Sequence, residues 1–138
     1  MQIRHQNREI YFREQTECTQ KYVIPYIEQV LCIKSNLRVL EIGCGEGGNL
    51  KPFLDVGCHC VGIDIDVAQL EKAKAFFANH SLNKNLRLIA NDIYKVSPNE
   101  IGNFDLIILR DVIEHLPNQE LFMHQLKSFM HSESVVFF

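Results

Sequence analysis

Residues 39–48 read V-L-E-I-G-C-G-E-G-G and combine acidic residues with four glycines in a pattern that can hold a ligand. The glycines are Gly43, Gly45, Gly47 and Gly48. Glycine has no Cβ and tolerates positive φ, so a turn built from glycines lets the backbone lie directly against a bound molecule. The residues before the turn predict a strand and those after it a helix. Together these elements are typical of the nucleotide-binding corner of a doubly wound α/β sheet.

Polar residues also stand at the ends of other predicted strands, namely Asp64, the pair Asn91-Asp92 and the pair Arg110-Asp111. Asp64 lies about 20 residues past the glycine turn, the spacing at which an acid accepts hydrogen bonds from ribose hydroxyls. Asp92 could accept from an exocyclic amine such as adenine N6. Glu41, two positions before the first glycine, would repel a pyrophosphate but would suit a ligand that carries an ammonium group.

Alternating strand and helix patterns position these residues. Short apolar or β-rich runs predict five strands, at 38–42, 60–65, 86–90, 104–109 and 134–138. Helical spacing predicts four helices, at 16–33, 47–56, 67–79 and 116–130. Asp66 is expected to cap the third helix, and Pro25 to kink the first or to mark a helix start.

Strands that alternate with helices predict β-α-β units, parallel pairing and right-handed crossovers. The expected fold class is therefore α/β, with a doubly wound, Rossmann-like and mostly parallel sheet that has helices on both faces. The 138 residues are enough for one domain with its own core. Because the chain stops within its last apolar run, we expect the sheet to be truncated after the fifth strand.

The composition excludes several classes of protein. Hydrophobic residues make up 46% and charged residues 22% of the chain, and the net charge is -3, as in an ordinary globular protein. Lys and Arg are scattered, so we expect no nucleic-acid partner. Residues 1–9 are too polar for a signal peptide, and no apolar run approaches the ~20 residues that span a bilayer. We therefore expect a cytoplasmic protein with no membrane partner.

The five cysteines are odd in number and lie mostly in apolar segments, which predicts buried, reduced thiols. Cys58-His59-Cys60 resembles a metal corner at first sight. However, a strand sends neighbouring side chains to opposite faces, and no second pair of ligands follows at zinc-like spacing. We expect no metal site.

Four motifs in order carry a resemblance to a known family. E-I-G-C-G-E-G is similar to motif I of the class I S-adenosylmethionine-dependent methyltransferases, and V-G-I-D-I resembles the second-strand motif whose acid binds ribose. N-D-I resembles the third-strand adenine motif, and F-D-L-I-I-L-R-D-V-I-E-H-L resembles the fourth-strand motif with the helix after it. The resemblance spans residues 37–138, and E-H-L is most similar to the small-molecule and quinone-type methyltransferases.

The resemblance implies S-adenosylmethionine as cofactor, S-adenosylhomocysteine as product and an unidentified small-molecule acceptor. It places Glu41, Gly43, Cys44 and Gly45 at the methionine end of the cofactor and Asp64 on the ribose. Ile65, Asp92 and Ile93 are expected on the adenine, and Arg110 under the cofactor with Asp111 nearby. His115 is expected on the methyl-transfer side, as a base or a substrate contact. It also implies that residues 1–36, with Tyr11 and Arg13, cap the site formed by residues 37–138.

The sequence departs from the family pattern at two points, and two alternative functions remain open. The family usually has a Pro-Gly-Gly turn before the fifth strand, where residues 130–134 read M-H-S-E-S and are expected to form a loop. The family also continues with a helix and an antiparallel strand pair. Gly43, Gly45 and Gly48 satisfy G-x-G-x-x-G, which leaves a dinucleotide (NAD)-dependent oxidoreductase as one alternative. A non-catalytic S-adenosylmethionine-binding scaffold is the other.

Overall fold

The structure, a computed structural model, describes residues 7–110, 112 and 115–138. One five-stranded sheet forms its centre, in the order β3-β2-β1-β4-β5. The strands are β1 Arg38–Ile42, β2 His59–Asp64, β3 Leu86–Ala90, β4 Phe104–Ile108 and β5 Met130–Phe137. All pairings between these strands are parallel. The predicted doubly wound sheet is confirmed, and its strand order reverses between the neighbours β1 and β4.

Six α-helices are present in the described part of the chain: α1 Arg8–Cys18, α2 Ile24–Ile27, α3 Lys51–Val56, α4 Val67–Phe77, α5 Pro98–Ile101 and α6 Gln119–Ser128. They cover both faces of the sheet. In β1, Val39 packs in the core layer that contains Phe53 of α3, whereas Leu40 packs in the layer that contains Phe122 of α6. Because both faces are buried, the three central strands β1, β2 and β4 are largely apolar.

The N-terminal helical segment differs from the prediction of a helix at 16–33. It begins at Arg8, because the Asn7 side chain accepts from the Ile10 N–H and caps it, and it ends at Ile27. A π-helical turn at Thr19–Val23 separates α1 from α2. Pro25 lies in the first turn of α2, directly after the π-helical turn, so it marks a helix start.

The glycine turn is longer than the sequence pattern predicts. The helix expected at 47–56 begins only at Lys51. Gly43, Gly45 and Gly47 have φ of 76°, 55° and 85°, so the turn extends through Gly47, which cannot begin a right-handed helix. Asp66 caps α4 as predicted, by accepting from the Gln69 N–H at 3.2 Å. The helix predicted at 116–130 is shorter and runs from Gln119 to Ser128.

The prediction of a loop at 130–134 is wrong. Met130 already pairs with Phe104, and the register then shifts so that Val135 pairs with Leu106. The Ser134 hydroxyl donates to the Phe104 carbonyl across this irregularity. A β-bulge therefore absorbs the polar residues and extends β5 at its start.

Two further observations bear on the sequence expectations. All five cysteines are free; Cys44, Cys58 and Cys60 are buried, Cys18 is half-buried, and Cys32 is exposed, contrary to the expectation that such thiols lie inside. Within the described ranges, no helix combines the length and the apolar character that a bilayer span requires.

Candidate functional site

A cavity of about 970 Å³ lies at the carboxyl ends of β1 and β2, beside the point where the strand order reverses. Ligands of doubly wound folds bind at this place. One wall is the glycine turn after β1, and the opposite wall is α1. Of the residues predicted from the sequence, the cavity is lined by Glu41, Gly43, Cys44, Gly45, Asp64, Ile65, Arg110, His115 and Tyr11.

Glu41 is a buried acid in the lining of this cavity, with 1% of its surface exposed. Burial raises the pKa of its carboxyl to about 8, against an opposing effect of the Asn49 hydrogen bond and the Arg110 charge. Oε2 accepts from Asn49 Nδ2 at 2.8 Å, whereas Oε1 has no hydrogen-bond partner. A buried carboxylate oxygen without a donor is costly, so this atom is a natural acceptor for a cationic ligand.

Asn49 connects Glu41 to the end of β4 and to the N-terminal helical segment. Its Oδ1 accepts from Arg110 Nη1 at 3.0 Å and from the Thr19 hydroxyl at 2.7 Å. Arg110 follows β4 and Thr19 belongs to the π-helical turn. Asn49 itself is 2% exposed and Thr19 is fully buried. The sequence indicated Arg110 by its position at a strand end, whereas neither Asn49 nor Thr19 was predicted as a site residue.

Asp64 joins the ends of β1 and β2. Its Oδ2 accepts from the Gly45 N–H at 2.7 Å, and its Oδ1 accepts from the Asp66 N–H at 2.9 Å. An ionised carboxylate has about four acceptor positions, so two stay available for hydroxyl donors from the cavity. The two backbone bonds hold the side chain in place before any ligand arrives.

The glycines of the turn leave no room for side chains. A Cβ at Gly43 would lie 2.6 Å from Val112 Cγ2, and one at Gly47 would lie 2.9 Å from the Phe77 ring. Both residues also have positive φ, which disfavours any other residue. The turn therefore presents backbone alone to the cavity at Gly43.

The α1 wall is tied to the glycine turn by a second buried acid. Glu46 has 1% of its side chain exposed and forms an ion pair with Arg8, while its Oε2 has no hydrogen-bond partner. The Arg8 guanidinium also lies 4.6 Å from the centre of the Tyr11 ring. Further along α1, the Thr16 hydroxyl donates to the Gly48 carbonyl at 3.0 Å. These contacts close one side of the cavity.

The model of a methyltransferase domain matches residues 12–138 of the chain. The chain belongs to this family. The resemblance to the class I S-adenosylmethionine-dependent methyltransferases is thereby confirmed at the level of family and fold, and the match covers all five strands of the sheet.

Curated relatives of this methyltransferase domain include ubiquinone biosynthesis O-methyltransferases. The one from Bartonella tribocorum is 26% identical over 125 residues, which cover 83% of this chain and 49% of the relative. The one from Brucella anthropi is 30% identical over 112 residues, which cover 72% of this chain and 44% of the relative. The chain thus spans about half the length of the curated relatives it matches.

Solved structures share the fold of the methyltransferase domain. PKMT2 from Rickettsia typhi in complex with AdoHcy superposes with a TM-score of 0.74 at 23% identity, over 86% of this chain and 24% of that one. Coclaurine N-methyltransferase bound to N-methylheliamine and SAH gives a TM-score of 0.73 at 20% identity, over 87% of this chain and 35% of that one.

Two predicted adenine contacts of the methyltransferase domain lie outside this cavity lining. Asp92 accepts from the Tyr94 N–H at 3.0 Å and so caps a short 3₁₀ helix at Ile93–Lys95. Ile93 is 8% exposed and packs in the core layer on the α6 side. Their contact with an adenine stays a prediction.

The remaining predicted residues are distributed as follows. His115 is exposed at the rim of the cavity, and its backbone N–H donates to the Val112 carbonyl at 3.1 Å. Arg13 is exposed on α1. Asp111 lies outside the described residues. In the described ranges, no cluster of three or more His, Cys, Asp and Glu side chains is arranged to hold a metal ion.

Several lining residues were not predicted. Arg8, Gln15 and Cys18 project from α1, and Gln69 from α4. Glu46 was part of the glycine motif, yet the motif has no rule for that position. The one available signal was polarity: Glu46 and Asn49 are acidic or amide residues in the segment between β1 and α3, at the end of the sheet where parallel-sheet sites form.

Proposed function

We propose that this methyltransferase domain binds S-adenosylmethionine and transfers its methyl group to a small-molecule acceptor. The observation that carries the proposal is the Glu41 carboxylate, which is buried, lines the cavity and has one oxygen without a donor. A cationic amino-acid group satisfies that oxygen, whereas a pyrophosphate would be repelled by it. The ligands that the solved neighbours contain, AdoHcy and SAH, support the same assignment.

The residues of the cavity fit this cofactor. Glu41 and the backbone of Gly43–Gly45 are proposed to hold its amino-acid end. The free acceptor positions of Asp64 suit two ribose hydroxyls. Ile65, 73% exposed at the rim, offers an apolar surface to an adenine. Asp92 and Ile93, which lie outside the cavity lining, are proposed to contact the adenine edge, and Arg110 is proposed to lie under the cofactor.

S-adenosylmethionine supplies an electrophilic methyl group on a sulfonium when it is bound. The contribution of this chain is to bind, orient and exclude water. Glu41 provides a charge partner at one end, and Asp64, already bonded to Gly45, provides acceptors at the other. His115 at the rim is proposed to contact the acceptor or to take the proton that an O–H or N–H acceptor releases. Residues 1–36 are proposed to cap the site formed by residues 37–138.

The acceptor class rests on the net charge and on the relatives. A net charge of -3 with scattered Lys and Arg does not favour a nucleic acid. The relatives are named for ubiquinone biosynthesis, which supports a small aromatic or quinone-like acceptor.

We also propose a cytoplasmic location without a membrane partner, in keeping with five free cysteines.

Calorimetry with S-adenosylhomocysteine and with NAD tests the proposal and separates it from the oxidoreductase alternative. We expect binding of S-adenosylhomocysteine and none of NAD. Tight binding of NAD without binding of S-adenosylhomocysteine would sink the methyltransferase assignment. A screen of acceptor pools for methyl transfer from labelled S-adenosylmethionine then separates an enzyme from a scaffold that only binds.

A further inference from the structure

Asn49 occupies the centre of a polar cluster that connects three separate elements of the methyltransferase domain. It follows the glycine turn, and it contacts Glu41 at the end of β1, Arg110 after β4 and Thr19 in the N-terminal helical segment. These three partners are 8, 61 and 30 residues away in the chain. Because Asn49 is 2% exposed, water does not compete for its bonds.

The chemistry of the partners determines which way the Asn49 amide points. A guanidinium only donates, so Arg110 must face the amide oxygen. An ionised carboxylate only accepts, so Glu41 must face the amide nitrogen. The oxygen uses both of its lone pairs, for Arg110 and for the Thr19 hydroxyl. A flipped amide would lose the bond to Arg110 and, with Glu41 ionised, the bond to Glu41 as well.

We propose that Asn49 is a positioning residue for the cofactor: it holds one oxygen of the Glu41 carboxylate and leaves the other oxygen directed to the ligand. This inference rests on the proposed function. With Oε2 held at 2.8 Å by Asn49, the Glu41 side chain cannot rotate freely, and Oε1 stays without a donor inside the protein. The Asn49 amide also accepts from the Thr19 hydroxyl, so the N-terminal helical segment helps to orient the Glu41 carboxylate.

The hydrogen bond from Asn49 also lowers the pKa of Glu41 and so favours its ionised form. The charged and titratable groups that face this carboxyl are Arg110, Asp64 and the thiols of Cys44 and Cys60. The Arg110 charge and the Asn49 bond favour ionisation, and Asp64 opposes it. Removal of the Asn49 donor therefore leaves Glu41 protonated to higher pH, and a protonated carboxyl is a poor partner for an ammonium group.

Asn49→Asp tests the inference with the smallest change of shape. It keeps an oxygen toward Arg110 and Thr19 but replaces the donor to Glu41 with a second carboxyl. Two carboxyls at hydrogen-bond distance share a proton, so the pair should release it about one pH unit or more above the wild-type Glu41. Carbon-13 NMR of the ligand-free protein measures that titration. At pH 7, calorimetry should show that the variant binds S-adenosylhomocysteine about tenfold or more weakly than the wild type does.

Asn103→Asp is the matched control. Asn103 lies before β4, at the opposite edge of the sheet, and its Nδ2 donates to the Ser128 and Met130 carbonyls. The substitution should lower stability but leave the Glu41 titration and the binding affinity unchanged. Thr19→Val should weaken binding without a change in the Glu41 titration, and Thr19→Ser should restore it.

The outcomes separate the inference from the proposed function. If Asn49→Asp titrates as the wild type does and binds S-adenosylhomocysteine within about twofold of it, Asn49 has no positioning role. If Asn49→Asp does not fold, Asn49→Ser removes the amide donor without adding a carboxyl; Glu41 should then stay protonated to higher pH and binding should weaken, and an unchanged titration with unchanged binding overturns the inference. If the wild type binds no S-adenosylhomocysteine, the proposed function fails, while the ligand-free titration still decides whether Asn49 sets the ionisation of Glu41.

Discussion

The backbone N–H of Gly45 donates to Asp64 Oδ2 at 2.7 Å, so the glycine turn after β1 is bonded directly to the end of β2. The same carboxylate accepts from the Asp66 N–H. Asp64, at the end of β2, thus fixes the conformation of the glycine turn after β1 and keeps its remaining acceptor positions directed to the cavity. A ligand that binds here meets a site that is already organised, which lowers the entropy cost of binding.

Asp64→Asn should weaken binding of S-adenosylhomocysteine about tenfold or more. The amide keeps one acceptor oxygen, so Gly45 and the ribose hydroxyls compete for it, and the charge that strengthens those bonds is lost. Titration calorimetry measures the effect. Asp66→Asn serves as control, because Asn caps a helix as well as Asp does and α4 should stay intact. Equal losses in both variants would contradict the assigned role of Asp64.

Glu41→Gln should change how stability depends on pH. Burial raises the pKa of Glu41 from 4.5 to about 8, so the folded wild type keeps a proton that the unfolded chain has lost. The ligand-free wild type should therefore lose stability as pH rises from about 4.5 to about 8, and the loss should level off above that. Urea unfolding across this range should show a smaller slope for Glu41→Gln.

The same variant should change the protons exchanged on binding. Because a cationic ligand favours the ionised carboxylate, the wild type should release about one proton when it binds S-adenosylhomocysteine at pH 7. Calorimetry in two buffers with different ionisation enthalpies counts that proton. Glu41→Gln should release none from this site and bind more weakly. Identical proton release in both proteins would mean that Glu41 does not face the ligand.

Arg8→Ala should destabilise the protein by about 1–3 kcal/mol, since it leaves Glu46 buried without its charge partner. Urea unfolding measures the change. The double variant Arg8→Met, Glu46→Gln should recover most of the loss because neither charge then remains. Lys74→Ala is the control: its pair with Glu71 is exposed, and its loss should cost about half a kcal/mol or less.

His115→Gln should lower the rate of methyl transfer about tenfold or more and leave the affinity for S-adenosylhomocysteine unchanged. His115 lies at the rim of the cavity, where an acceptor rather than the cofactor is expected. Single-turnover transfer to an acceptor found in the pool screen measures the rate. His124→Gln on the exposed face of α6 is the control. A loss of affinity with an unchanged rate would place His115 on the cofactor instead.

The alternation of strands and helices was predictable because each element shows its own periodicity within a few residues. The runs at 38–42 and 86–90 match β1 and β3 in full, and the other strands of the first four differ by one residue at their ends. Parallel pairing follows from that alternation, and it places Glu41, Asp64 and Arg110 at one edge of the sheet. The polar residues at strand ends were therefore found without coordinates.

The sequence by itself determined the fold class, the family motifs and the acids at the ends of β1 and β2, since these depend on local spacing. Only the tertiary structure decided that Glu46 pairs with Arg8, that Asn49 joins Glu41 to Arg110, and that β5 begins at Met130. Such contacts join residues that are tens of positions apart. They depend on how helices pack on the sheet, and no local periodicity carries that information.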